Sequence, residues 1–327
     1  MLISMVVFSV LRYDTGWDYM SYTDVVSSTW QWVNPEHSRF SFLWRQLFSF
    51  AHNYNIPHLA IILPNILTYI CIYWGLNLLN LSRQEKVDAM LVYICWYELY
   101  LGSFSIIRQG LSMGLGFMMF ALLQKKYYVW AIAVYVLAVH IHTSSCALAL
   151  LFPIYFIRDN LNFKWMCIGV ILIVLALSSI GEIISSIESV DLAKYQTYLK
   201  MQDNYGGKII FINIILVAYL TFVFFISKRL SSFDRQCYFL TIMSLTGNIV
   251  IFLMGLSSIL SRVFSYFIVF MIPILLSSLN AFREHKILKD VSVLLLCIFM
   301  IVYLDISKAG NKVASSGFIP YKCILLR

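Results

Sequence analysis

Arg12-Tyr13-Asp14-Thr15-Gly16-Trp17-Asp18-Tyr19, followed by Tyr22, places a cation, two carboxylates and several phenols in one short stretch. Asp14 and Asp18 are four residues apart and on a helix would share a face. Two carboxylates beside an Arg can hold a charged group or activate a hydroxyl. A solvated loop with an interfacial Arg would have the same composition. Arg108-Gln109 opens an apolar run. An Arg there either snorkels to the interface or offers its planar donor fork to phosphate oxygens. His140-x-His142-Thr143-Ser144 joins two apolar runs. A His at such a junction can act as a base or simply cap a carbonyl. Residues two apart on a helix point different ways, so at most one of His140 and His142 faces a given site, and no third ligand stands nearby to complete a metal site. Ser261-Arg262 begins a further apolar run. Glu98 lies within another, where a structural partner is the stronger reading.

The elements that must position these residues are membrane helices. Hydrophobic residues make up 61% of the 327 and charged residues 12%, about half the charge of a soluble domain. Apolar runs near the bilayer-crossing length recur at 59–80, 89–106, 109–123, 127–142, 144–157, 165–187, 208–227, 236–258, 262–280 and 290–305. The expected fold is therefore all-α: a polytopic bundle of about ten to eleven transmembrane helices in a single membrane domain over 1–327. Met1–Leu11 spans only about half a bilayer. It reads either as a short first helix or as the end of a longer one.

Charge orients the set. The loops at 81–88, 124–126, 158–164, 228–235 and 283–289 hold about 12 of the 24 Lys and Arg, the density of a cytoplasmic side. The formal net charge of +8 is then a topology and anionic-lipid signal, not a nucleic-acid one. The segment 12–58, the Tyr-rich loop 188–207 and the tail after Ile306 face outward. Arg12, Arg108, His142 and Arg262 all fall on that outer side. Segment 12–58 carries Trp17, Tyr19, Tyr22, Trp30, Trp32, Phe40, Phe42 and Trp44. Most read as interfacial anchors and a few as sugar contacts. The loop 188–207 is either a cover for the site or a plain connector.

Several chemistries find no motif. The chain has no P-loop, no D-x-D, no H-E-x-x-H and no C-x-x-C, and no basic–aromatic platform for nucleic acid. Six of the seven Cys lie in apolar runs, where they read as small packing residues. No metal and no cofactor is expected.

The motifs, taken in order, resemble those of the EpsG family, the Wzy-like polymerases of exopolysaccharide and O-antigen clusters. The segment from Arg12 to Tyr22 resembles its R-Y-x-x-G-x-D-Y-x-x-Y element. Arg108-Gln109, with Lys125-Lys126 beyond the helix, resembles its R-Q helix. His142-x-Ser144 resembles its H-x-S junction, and Arg262-x-x-x-Tyr266-Phe267 and Pro320-Tyr321 follow in order. Trp17 stands where a small residue is common in the family. The resemblance implies a bundle akin to the integral-membrane, GT-C-like glycosyltransferases in the bacterial inner (cytoplasmic) membrane. It implies metal-independent polymerisation of oligosaccharide repeats carried on undecaprenyl diphosphate. Its partners would be that lipid-linked substrate, membrane lipid, and a flippase and chain-length regulator of the same pathway, with no nucleic acid. On that reading Arg108 and Arg262 stabilise the departing diphosphate. His142 is the base, with Asp18 as its rival. Arg12, Asp14, Tyr22 and Gln109 bind substrate. A flippase of the lipid-linked sugar, or a membrane acyltransferase acting on the glycan, would use much the same residues.

Overall fold

A computed structural model describes residues 1–16, 18–28, 40–96, 99–162, 164–165, 167–169, 171–172, 175, 207–226, 231–254, 258–279, 291, 294 and 298. Trp17, Trp30, Trp32, Glu98, Pro320, Tyr321 and nearly all of the 188–207 loop and the 290–305 run lie outside them. Every regular element among the described residues is a helix. The chain forms two compact units, one built on Met1–Ala149 and one on Leu150–Ser278.

The first unit contains α1 (Leu2–Val10), α2 (Asp18–Ser27), α3 (Phe42–Asn53), α4 (Leu59–Leu78), α5 (Arg83–Cys95), α6 (Gly102–Ser105), α7 (Ile107–Gln124) and α8 (Tyr128–Ile141). Its centre is α7, packed on α4 and on α8. The α4 contact is close because α7 presents Gly114 there. A Cβ at that position would sit 3.0 Å from the Thr68 carbonyl oxygen. Small residues at a helix–helix contact allow this approach, which membrane helices use in place of a hydrophobic driving force. On the α8 side, Ser112 Oγ donates to the Ala138 carbonyl at 3.2 Å.

The outward faces identify the solvent. Along α8, Val129, Trp130, Ile132, Val136 and Leu137 are exposed, and α4 exposes Leu63, Leu67 and Trp74. Helices apolar on the outside as well as the inside suit lipid. By length and composition α4 (20 residues) can cross a bilayer, and so can α11 (Ser232–Leu253, 22 residues) in the second unit.

Three apolar runs are broken where continuous helices were expected. The run 89–106 belongs to a helix that starts earlier, at Arg83. Ser82 and Glu85 form a reciprocal capping box there, with Ser82 N–H donating to Glu85 Oε2 at 2.8 Å. That helix ends at Cys95, and the chain resumes at α6. The run 144–157 is a 3-10 helix over Thr143–Leu150, then α9 (Leu151–Phe156). The run 262–280 is α12 (Ser258–Ser265), a 3-10 turn at Ile268–Phe270, then α13 (Met271–Leu279). Pro153 and Pro273 fall in the first turns of α9 and α13. Each lacks the N–H that would continue the preceding helix, and is tolerated near the start of a new one.

The second unit adds α10 (Gly207–Ile226) beside α11. Ser231 and Asp234 cap α11 with a second capping box. Asp234 Oδ1 also accepts from Ser277 Oγ at 2.6 Å, which ties α13 to the same helix start.

Candidate active site

Arg12 leaves α1 and turns inward. It is 2% exposed, and its guanidinium lies over the Phe104 ring at 4.3 Å. None of its three nitrogens has a hydrogen-bond partner among the described residues. Burial pulls the guanidinium down to about 10, partly opposed by Tyr69, Tyr19, Tyr100 and Asp18, so it stays cationic at neutral pH. Among the described residues this buried cation has a ring face, worth about 2 kcal/mol when desolvated, but no hydrogen-bond acceptor.

The next residues bring Asp18 to the start of α7. Asp14 turns the chain with φ 44° and Gly16 with φ 94°. Gly16 lies against the Phe104 backbone, where a Cβ would overlap the carbonyl. Asp18 Oδ2 then accepts from the Ile107 backbone N–H at 3.0 Å. Ile107 is the first residue of α7, so the carboxylate satisfies an orphan donor at the positive end of the helix. Asp14 and Asp18 do not sit together on one helix, since α2 begins only at Asp18.

Arg108 is the next residue of that helix start. Its Nε donates to the Tyr22 hydroxyl at 3.1 Å, and its guanidinium stacks over Phe40 at 4.9 Å. Tyr22 is held in an aromatic box, 5.9 Å from Phe40 and 5.7 Å from both Trp44 and Phe48. All four rings are buried. So Tyr19, Tyr22, Phe40 and Trp44 of the 12–58 segment are neither surface anchors nor open sugar platforms. Tyr22, Phe40 and Trp44 pack into a support that fixes Arg108, while Tyr19 meets Tyr13 and His58 and Phe42 is exposed. Replacing Tyr22 with Phe keeps the ring and removes one acceptor, at about 0.5–1.5 kcal/mol. The expected result is a loss of about two- to tenfold in activity with unchanged protein abundance, checked by product yield per mole of purified protein.

The same support reaches His142. The Trp44 indole N–H donates to the Ile141 carbonyl at 3.1 Å. At His142 the backbone leaves the helix for an extended conformation, which lets residues two apart meet. His142 Nδ1 is 2.7 Å from Ser144 Oγ. If Nδ1 carries the proton and donates to Ser144, Nε2 is left with a lone pair to accept a proton. His140 is exposed on the last turn of α8.

Gln109 is buried beside Arg108 in sequence. Arg262 is an exposed residue of α12 in the second unit. The first unit thus brings Arg12, Asp18, Tyr22 and Arg108 into one contiguous set, with His142 joined to it through Trp44. Among the described residues no three His, Cys, Asp or Glu side chains group as a metal-ligand set.

His58 has a place in this set that sequence reasoning missed. Its Nδ1 is 2.8 Å from the Tyr19 hydroxyl. Burial pushes that phenol up to about 12, against the opposing Arg12 charge. Its sequence setting, one residue past Pro57, gives no sign of the contact. Phe104 under Arg12 was equally silent, because an aromatic in an apolar run reads as core.

The EpsG family profile matches residues 1–323, spanning every motif described above. The chain belongs to the EpsG family. This is the family of Wzy-like exopolysaccharide polymerases, as the motif order implied, and with its apolar helices it makes the chain a membrane protein. Neither a curated protein nor a solved structure matches the chain. The EpsG assignment therefore carries the activity class.

Proposed function

We propose that this chain is a multi-pass glycosyltransferase of the bacterial cytoplasmic membrane. It joins undecaprenyl-diphosphate-linked oligosaccharide repeats into a polysaccharide at the outer face. Family membership supports the polymerase class. The observation that carries the reading is Arg108, held at a helix N-terminus by the Asp18–Ile107 contact and the Tyr22 hydroxyl. A helix N-terminus bearing an oriented Arg is suited to phosphate oxygens.

In this mechanism the bond between the anomeric carbon of the donor glycan and its diphosphate oxygen breaks. The acceptor sugar's hydroxyl oxygen forms the new bond to that carbon. The electron pair leaves with the diphosphate, whose growing charge is stabilised by Arg108, and Arg12 contributes to substrate binding. The hydroxyl proton passes to His142 Nε2 and then to solvent. Asp14 and Gln109 contribute to substrate binding. Asp18 is the rival base. Its hydrogen bond to Ile107 favours a positioning role for it and leaves His142 as the acceptor of the proton. The flippase and chain-length regulator of the pathway act on either side of this step.

His142→Ala is expected to lower turnover by about 100-fold while changing lipid-substrate affinity far less. The check is kcat and Kd measured on the same preparation. An inactive Asp18→Asn beside an active His142→Ala would reverse the assignment of the base.

The activity itself is tested with purified protein in vesicles and lipid-linked repeats. Longer glycans support the polymerase. A change of sidedness without growth would make the chain a flippase, and a mass gain of one acyl group an acyltransferase.

A further inference from the structure

An apolar groove of about 610 Å³ runs along the first unit, walled by α3, α4, α7 and α8. Leu67 and Trp74 of α4, Leu111, Leu115 and Met118 of α7, and Trp44 of α3 are among its lining. Its position relative to the candidate site follows from helix spacing. Arg108, Leu111, Leu115 and Met118 succeed one another at intervals of three and four, so they form one stripe down α7. The stripe starts at the guanidinium and continues as the groove wall. Trp44 belongs to both places: its ring packs on Tyr22 at 5.7 Å, and it lines the groove. The groove therefore begins beside Arg108.

Its length is also informative. On α4 the lining extends from Leu63 to Trp74, about 16 Å at 1.5 Å per residue. That is close to half of the roughly 30 Å hydrocarbon core of a bilayer. Leu63, Leu67 and Trp74 are exposed, so the groove opens sideways toward lipid. A sugar would leave its hydroxyls unpaired here. A ligand with an anionic head and a long hydrocarbon chain matches both ends at once.

We infer that this groove holds the hydrocarbon chain of the lipid-linked substrate while Arg108 holds its diphosphate. The inference rests on the polymerase reading and adds to it where the lipid lies. The groove selects long chains, and it aligns the scissile bond by fixing the lipid from below.

The test uses the purified full-length protein, wild type and Leu67→Trp, with Met118→Trp as a second groove-filling variant. The substrates are one glycan diphosphate on a long isoprenoid chain and the same glycan on a short one. Wild type is expected to favour the long chain in KM by about tenfold or more. Both variants are expected to lose that preference, the long-chain KM rising toward the short-chain KM. A long-chain preference that survives in both variants overturns the inference, as does an equal loss on both substrates.

A wild-type protein that elongates neither substrate would count against the polymerase reading alone. The groove is then decided by a long-chain isoprenyl diphosphate carrying a photoreactive group in its tail. Labelling at Leu67, Leu115 and Met118 supports the groove. Labelling spread over the exposed α8 face at Val129 and Trp130 means bulk-lipid partitioning, and overturns it.

Discussion

Arg108→Ala is expected to reduce glycan elongation by on the order of 100-fold or more while leaving the protein folded and at normal abundance. The magnitude is that of removing one preorganised stabiliser of developing charge. Folding is expected to survive because Arg108 is only partly buried and its support does not depend on it. The Tyr22 ring stays packed against Phe40, Trp44 and Phe48, and Asp18 still caps Ile107. Lys at the same position should rescue poorly, since an ammonium lacks the planar fork that pairs two phosphate oxygens. Arg262→Ala is expected to lose elongation similarly. The measurement is polymer length and yield from purified variants at matched concentration. Wild-type polymer from either variant removes that Arg from the mechanism.

Gly16→Ala is expected to destabilise the protein by about 3 kcal/mol or more, with activity falling because folded protein is lost. Two costs add. The residue sits at φ 94°, which an L side chain rarely adopts. The new Cβ would also overlap the Phe104 carbonyl and lie 2.6 Å from its carbon. That neighbour is backbone, so it cannot rotate away. Moving it would shift Phe104, on whose ring Arg12 rests. The check is the thermal midpoint of the detergent-solubilised protein, followed by size-exclusion chromatography. An unshifted midpoint would mean that the 12–18 turn does not pack on α6 as described.

The sequence was informative where a physical signal is local. Bilayer-length apolar runs located α4, α8 and α10 within two residues of their observed limits. The cap signal Ser82-x-x-Glu85 was also there to be read, yet the charged residues after it suggested a loop. Pro153 and Pro273 stood in view inside the runs 144–157 and 262–280, but unbroken hydrophobicity outweighed them.

In the candidate site, residue types singled out Arg12, Asp18, Arg108 and His142 as expectations, but not the contacts each of them makes. Asp18 stood as the rival of His142 for the base, because a carboxylate can accept a proton. Its backbone partner 89 residues away in sequence makes it a helix cap. The aromatics of 12–58 looked like surface groups, because an aromatic-rich polar segment has that composition whether it faces water or folds inward. Only the packing of α2 on α3 separates the two cases. The apolar groove leaves no trace in a sequence where nearly every helix is apolar.

The most direct measurement counts lipid diphosphate released against glycosidic bonds formed, using purified protein and lipid-linked repeats as the sole substrate. The expected result is one lipid diphosphate per new bond, a ladder of lengthened glycans, and loss of both in Arg108→Ala. Lipid diphosphate released without chain growth, or growth undiminished in Arg108→Ala, would contradict a polymerase working through that guanidinium.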